Sequence, residues 1–183
     1  MMIFIIGLPG VGKTTFAQQL ASHLHMDWFD LDQIIVDQQQ KPITSLFKES
    51  GEEAFRKMES VALQTVIDNN RNAVIATGGG TPCFGDNMNR MLANGTCILL
   101  KAEIGIVTEH IVADAQVRPM FLGLDRRKIA KKLSYLWDKR KSYYQQTHII
   151  TGLEAIQKPQ LLTNRVELFT KKGVSLNDII EID

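Results

Sequence analysis

The stretch Gly7-Leu-Pro-Gly-Val-Gly-Lys-Thr14 has the spacing G-x-x-x-x-G-K-[ST], and it decides the fold class of this 183-residue chain. The apolar run Met2–Ile6 before it indicates a buried strand, and apolar residues at helical spacing follow in residues 15–24. Glycines permit backbone angles that side chains forbid, so the loop N–H groups can face a phosphate at the start of the helix. This strand, loop and helix predict a binding site for a nucleoside triphosphate.

We call residues 7–14 the phosphate-binding loop. Several of its residues, and Thr15 directly after it, have predicted roles. The Lys13 ammonium is expected to contact the outer phosphates and to be catalytic, and the Thr14 hydroxyl is expected to bind Mg²⁺. ATP and Mg²⁺ are therefore the expected cofactors. The residues expected to surround the ATP phosphates are Gly10, Val11, Gly12, Lys13, Thr14 and Thr15.

Composition narrows the classes of protein that fit. The chain is 44% hydrophobic and 22% charged, which is typical of one globular domain, here residues 1–183. Its formal net charge of +1 argues against an extended nucleic-acid interface, and no stretch has the length of a membrane span. A strand begins at the N-terminus instead of a signal peptide, and the two cysteines are scattered. We expect a cytoplasmic monomer without membrane or nucleic-acid partners.

Strand-like and helix-like segments alternate along the chain, which predicts an α/β fold of three layers, α/β/α, with a central parallel sheet of about five strands. Residues 114–125 lack periodicity and contain Arg118-Pro119, so we expect a mobile lid there. A short helix over 174–180 with Ser175 as its cap is also predicted. The predicted strands are residues 2–6, 27–30, 73–77, 96–100 and 148–151, and the remaining helices are residues 33–70, 86–93, 104–112 and 126–146.

Two clusters follow predicted strands at the sheet edge where such folds bind ligands. Asp30 and Asp32 could hold metal-bound water or accept a hydroxyl proton, or Asp32 could simply cap a helix that begins near Gln33. Three successive glycines, residues 78–80, provide bare backbone, either for a tight turn or for close approach of a ligand. The residues do not decide between a chemical role and a capping role for Asp32, or between a turn and a ligand contact for the glycines.

Three arginines are candidates for binding an anion. A guanidinium binds carboxylate or phosphate through two parallel hydrogen bonds, so Arg56 and Arg140 could hold an acidic substrate. Each could equally be a partner in a surface ion pair. Arg118 lies in the expected lid, from which phosphoryl-transfer enzymes often bring an arginine to the migrating group.

Seven motifs in one order make the chain resemble the shikimate kinase family, small members of the nucleoside-monophosphate-kinase-like group. The resemblance covers residues 2 to about 151 and rests mainly on the combination beyond the phosphate-binding loop. The motifs are the loop itself, Phe29-Asp-Leu-Asp32, Ile43 to Phe47, Gly51-Glu-Glu-Ala-Phe-Arg56 with Glu59, Thr77-Gly-Gly-Gly80, Arg118-Pro119, and Arg140 with Tyr144.

The resemblance implies a P-loop kinase that transfers the γ-phosphate of ATP to the 3-hydroxyl of shikimate. Arg56 and Arg140 would hold the shikimate carboxylate, and Asp32 would bind the acceptor hydroxyl as the candidate base. Asp30 would support Mg²⁺ through water, and Arg118 would contact ATP and the transferred phosphoryl group. A substrate-binding helical region is implied at about residues 33–62. The glycines implied to present backbone to shikimate are Gly78, Gly79 and Gly80.

The chain departs from the family pattern in places. Ile35-Val36 stands where Ile-Glu is usual, Gln40 replaces a common glycine, and Ile111 replaces an arginine that usually contacts adenine, with His110 beside it. Two alternatives therefore stay open at this point. One is a kinase for another small metabolite, such as gluconate or a nucleotide, and the other is an ATP-binding regulatory module without an enzymatic activity.

Overall fold

The computed structural model describes residues 1–114, 119–153 and 180–182. Its strands are β1 (Met2–Ile6), β2 (Asp27–Asp30), β3 (Ala73–Ala76), β4 (Thr96–Leu100), β5 (Ile149–Thr151) and β6 (Ile180–Ile182). Its α-helices are α1 (Lys13–Leu24), α2 (Leu31–Gln39), α3 (Ile43–Asn69), α4 (Asn87–Asn94), α5 (Ile104–Ala113) and α6 (Arg126–Tyr144). Single turns of 3₁₀-helix lie at Thr81–Cys83 and Pro119–Phe121.

The described strands form a parallel sheet in the order β2-β3-β1-β4-β5-β6. The predicted α/β class and all five predicted strands are confirmed. The β1–β2 connection crosses the sheet in the opposite direction from the later connections, so right-handed crossovers place α1 on one face and later helices on the other. The phosphate-binding loop follows β1, where the direction reverses and where open α/β sheets bind ligands.

The sixth strand corrects the prediction for the end of the chain. Ile180 pairs with Ile149 in a parallel ladder, so the predicted helix does not extend to Ile180. Pairing with β6 satisfies backbone groups along an edge of β5 that would otherwise lack partners in the sheet. The rest of that prediction, residues 174–179 with the Ser175 cap, lies outside the described residues.

Burial follows the expected pattern. All residues of β1 and β4 are buried, as apolar strands covered on both faces should be. The helical prediction for residues 33–70 is confirmed as two helices, and α3 bends at Gly51, whose φ of 78° is not helical. Within the part of the chain that the structure describes, every helix is too short or too polar to cross a lipid bilayer.

Candidate active site

The phosphate-binding loop takes the backbone conformation that its glycines permit. Gly10 and Gly12 have φ values of 83° and 97°, in the left-handed region, and α1 begins directly after Gly12. A Cβ on Gly10 would also lie 2.5 Å from the side chain of Ile111, which packs against the loop from α5. The loop is therefore held by packing as well as by glycine, with the first N–H groups of α1 pointing into its hollow.

Lys13 is folded into the loop that contains it. Its side chain is 6% exposed, and its Nζ donates hydrogen bonds to the carbonyls of Gly7 at 3.1 Å and Leu8 at 2.8 Å. This places a positive charge inside the concave side of the loop, next to the positive end of the α1 dipole. An anion with several oxygens is the ligand that such a hollow favours.

Asp30 joins the phosphate-binding loop to the acceptor side of the site. Its Oδ2 accepts from the Thr14 hydroxyl at 2.5 Å, and its Oδ1 accepts from the Asp32 N–H at 2.9 Å. The helix cap is thus Asp30, and the suggestion that Asp32 caps a helix from Gln33 is wrong, because α2 already begins at Leu31. The Asp32 carboxylate instead projects from the first turn of α2 and stays half-buried.

The Thr14–Asp30 pair suits a magnesium ion. A hydroxyl and a carboxylate are hard oxygen ligands, and Mg²⁺ is usually held by one or two such groups, waters and substrate phosphates. Within the described ranges, no three His, Cys, Asp or Glu side chains converge on a metal-sized position. The residues present therefore fit an ion that arrives together with a nucleotide rather than one held by the protein itself.

Two cavities meet at these carboxylates. The smaller cavity, about 410 Å³, runs along the phosphate-binding loop past Lys13, and the larger cavity, about 860 Å³, opens on the other side. Both are lined by Thr14, Asp30, Asp32 and Asp114. Asp114 was not predicted to belong to the site, because it follows α5 inside the expected lid and has no motif around it. A group bound in one cavity would face a group bound in the other across this shared wall.

The three glycines form a turn on which charged side chains pack closely. The Thr81 N–H donates to the Gly78 carbonyl at 3.1 Å, closing the turn over residues 78–81, which we call the glycine turn. A Cβ on Gly80 would lie 2.5 Å from the Arg56 Cζ, and one on Gly79 would lie 3.1 Å from an Arg140 nitrogen. Bare backbone is thus needed for a turn and for close approach of the protein's own arginines.

Arg56 pairs with the buried Glu59 and, through its other Nη atom, with the exposed Glu52. Its Nη1 donates to Glu59 Oε2 at 2.5 Å, and Glu59 Oε1 accepts from the Thr81 hydroxyl at 2.6 Å. Glu59 is fully buried, whereas Arg56 is 9% exposed and lines the larger cavity. Burial opposes the charge of Arg56, but attraction and hydrogen bonds to Glu59 and Glu52 together outweigh it, so the pKa of Arg56 is raised. Glu59 stood in a motif without a predicted role, and its i,i+3 spacing from Arg56 was the available signal.

Arg140 lies in α6 and packs against the same glycine turn as Arg56. It is 8% exposed and lines the larger cavity together with Arg56 and the glycine turn. Cys83 lies near both arginines, but burial raises the pKa of its thiol to about 11, so it remains a neutral thiol. The two arginines and the turn therefore form a cationic end of the cavity. The rest of the lining is mixed: it includes the apolar side chains of Val36, Ile43, Phe47 and Phe55 and the carboxylates described above.

The remaining predicted residues divide between described and undescribed parts of the chain. Arg118 lies outside the described residues, as does most of the first half of the expected lid. Phe121, near the far end of that segment, is 2% exposed and packs into the core. His110 lines the smaller cavity, with its Nδ1 3.2 Å from the Gly10 carbonyl, whereas Ile111 is buried beneath the loop.

The chain is similar to known proteins over most of its length. A family model described as shikimate kinase matches residues 9–170. The shikimate kinase of Azobacteroides pseudotrichonymphae genomovar. CFP2 is 37% identical over 179 residues, which cover 98% of this chain and 95% of that protein. The alignment thus extends over nearly the whole of both chains.

Solved structures have the same fold. The crystal structure of shikimate kinase from Bacteroides thetaiotaomicron superposes with a TM-score of 0.86 at 32% identity, covering 91% of this chain and 98% of the other. The shikimate kinase from Acinetobacter baumannii in complex with shikimate gives a TM-score of 0.79 at 26% identity, covering 93% and 94%. On the family match, the relative and the superpositions together, this chain belongs to the shikimate kinase family.

Proposed function

We propose that this chain transfers the γ-phosphate of ATP to the 3-hydroxyl of shikimate, giving shikimate 3-phosphate and ADP. One observation carries the proposal: a cavity along the phosphate-binding loop and a second cavity with two arginines at its end share the wall that holds Thr14, Asp30 and Asp32. Membership of the family and the shikimate complex of a relative support the same acceptor.

The larger cavity provides groups that match each part of this acceptor. Arg56 and Arg140 hold the carboxylate through paired hydrogen bonds, and the backbone of Gly78, Gly79 and Gly80 binds hydroxyls. The aromatic rings of Phe47 and Phe55 cover the carbon ring, with their centroids 4.4 Å apart. An acidic ring compound with hydroxyl groups satisfies all three kinds of group at once.

Transfer requires alignment and neutralisation of charge. Lys13 binds the outer phosphates. Thr14 and, through water, Asp30 would hold Mg²⁺, which would supply positive charge beside the phosphates. Asp32 orients the 3-hydroxyl toward the γ-phosphorus. The hydroxyl oxygen forms the new P–O bond as the bond between the γ-phosphorus and the β,γ-bridging oxygen of ATP breaks, ADP leaves with that oxygen, and Asp32 accepts the hydroxyl proton.

The proposal also includes the organisation of the protein around this site. The chain acts as one domain and as a cytoplasmic monomer, with residues 33–62 binding substrate. The segment 114–125 closes as a lid and brings Arg118 to the transferred phosphoryl group. Closure excludes water, which limits hydrolysis of ATP in the absence of an acceptor.

A coupled assay of ADP release tests the function. We expect release with ATP, Mg²⁺ and shikimate, and loss of that release when Mg²⁺ is chelated. Gluconate and nucleoside monophosphates, offered at the same concentration, should give only the rate seen without an acceptor. Release that is faster with one of these acceptors than with shikimate would replace the proposed substrate, and nucleotide binding without release for any acceptor would favour a regulatory module.

Changing Arg56 to lysine tests how the carboxylate is held. Arg56→Lys keeps a positive charge beside the buried Glu59 but removes the planar, two-pronged donor. We expect the KM for shikimate to rise about tenfold or more, because charged hydrogen bonds contribute about 1.5–3 kcal/mol each. The KM for ATP should stay near that of the wild type.

The exposed Arg71, changed to lysine, is the matched control and should behave as wild type. A thermal melt of both variants separates a binding effect from loss of folded protein. An unchanged KM for shikimate in folded Arg56→Lys protein would remove Arg56 from the carboxylate site.

A further inference from the structure

Two backbone forms are open to the glycine turn, because glycine populates positive and negative φ about equally. Gly79 and Gly80 are its central residues, and Gly80 has φ −98° and ψ −15°, the angles of the third position of a type I turn. In a type II turn the central peptide is reversed and the third residue has positive φ, which glycine adopts most readily. Glycine permits both forms, so the contacts of the central peptide bear directly on which form is taken.

Tyr144 bonds the central peptide of the turn. Its hydroxyl donates to the Gly79 carbonyl, the carbonyl of the central peptide, at 2.6 Å. The side chain is fully buried, and its ring lies 5.9 Å from that of Trp137 at 47°. Burial raises the pKa of Tyr144, so the hydroxyl keeps its proton and remains a donor.

The direction of this bond determines the direction of the neighbouring N–H. In a planar trans peptide the carbonyl of one residue and the N–H of the next point in opposite directions. Tyr144 is absent from the residues found to line the larger cavity, whereas Gly79 and Gly80 line it. A Gly79 carbonyl held toward Tyr144 thus leaves the Gly80 N–H on the opposite side.

We propose that Tyr144 is a positioning residue for the acceptor: its hydroxyl holds the Gly79–Gly80 peptide so that the Gly80 N–H faces the larger cavity as a donor. In the flipped peptide the Gly79 carbonyl would occupy that place and present an acceptor to the substrate. The Arg140 guanidinium lies beside the Tyr144 hydroxyl, so one side chain orders both a backbone donor and a carboxylate-binding arginine. This inference rests on the proposed function, because it concerns the same substrate.

The test removes the hydroxyl oxygen of Tyr144. Tyr144→Phe keeps the ring in the core, and Tyr143→Phe, in the neighbouring and exposed residue of α6, is the matched control. We expect the Kd for shikimate, measured by titration calorimetry, to rise about tenfold, the effect of one lost buried hydrogen bond, about 1.4 kcal/mol. The Kd for ATP should change by less than about twofold, because the smaller cavity is lined by the phosphate-binding loop and not by Gly79, Gly80 or Tyr144.

A second measurement reports the turn directly. In protein with labelled glycine, the type I form gives a strong proton contact between the Gly79 and Gly80 amides, whereas the type II form gives one between the Gly79 α-protons and the Gly80 amide. We expect the first pattern in the wild type and in Tyr143→Phe, and growth of the second in Tyr144→Phe. This readout does not depend on activity, and a merely stabilising tyrosine would leave it unchanged.

The outcomes separate this inference from the proposed function. Wild-type protein that does not bind shikimate overturns both. Shikimate binding by the wild type with an unchanged Kd in folded Tyr144→Phe overturns only the role of Tyr144. If Tyr144→Phe does not fold, the wild-type spectrum decides, because a type II pattern there contradicts the proposal and a type I pattern supports it.

Discussion

Lys13→Met is expected to lower kcat about a thousandfold, more than any other single substitution in the site. The Lys13 ammonium lies inside the phosphate-binding loop, hydrogen-bonded to two loop carbonyls, where water is largely excluded. Charge that develops on a transferred phosphoryl group is stabilised most by fixed positive groups in such surroundings, and removing one donor of this kind costs about 10²–10³ in kcat. Methionine keeps the length and apolar stem of the side chain but not the charge.

Kinetics with both substrates measure this prediction. Lys13 does not line the larger cavity, so the Kd for shikimate in the absence of nucleotide should match that of the wild type. Lys57→Met is the control, since Lys57 is exposed and pairs only at the surface with Glu53. A Lys13→Met enzyme that keeps kcat within tenfold of the wild type would contradict the catalytic role.

Asp32→Asn should lower kcat about a hundredfold or more while leaving the KM for ATP nearly unchanged, since general bases typically contribute about 10²–10⁴. Asparagine has the same shape, and the Asp32 bond to Asp30 uses the backbone N–H, so the cap of α2 survives the change. The variant loses only the group that can accept the hydroxyl proton. Asp32 also lines both cavities, the position that such a base requires.

Asp37→Asn provides the matched control on the same helix. Asp37 lies in α2 one turn further on, where its carboxylate accepts from the exposed Gln33 side chain. Initial rates at saturating ATP and shikimate compare the two variants with the wild type. If Asp32→Asn retains a third or more of the wild-type kcat, Asp32 orients the hydroxyl without accepting its proton.

Local patterns in the sequence were enough to predict most elements. Strands β1 to β5 were recognised because they are short apolar runs beside glycine or aspartate, and α6 because apolar residues recur at helical spacing between lysines and arginines. The phosphate-binding loop was predicted from its spacing, since its glycines permit the backbone angles that the loop requires. The helix predicted over residues 174–180 was wrong at Ile180, because Ile180 takes its conformation from pairing with Ile149 and not from its neighbours in sequence.

Local patterns predicted the residues of the site but not how they pack together. Arg56, Arg140 and the glycines were expected in it, but their mutual packing was not. That Glu59 bonds both Arg56 and Thr81, and that Asp114 lies on the wall shared by two cavities, depends on where crossovers bring distant segments together. The i,i+3 spacing of Arg56 and Glu59 was a local signal for one of these contacts, but the Glu59–Thr81 bond and the position of Asp114 have no signature within one segment.

A parallel α/β fold, a nucleotide site after the first strand and a family follow from local sequence, because backbone freedom, hydrophobic period and motif spacing are properties of adjacent residues. The partner of the Gly79 carbonyl in the glycine turn follows from the folded chain alone. That partner is the hydroxyl of Tyr144, and Tyr144 and Gly79 lie 65 residues apart. Contacts of this kind arise when packing forces buried polar groups to find partners, and no local preference encodes them.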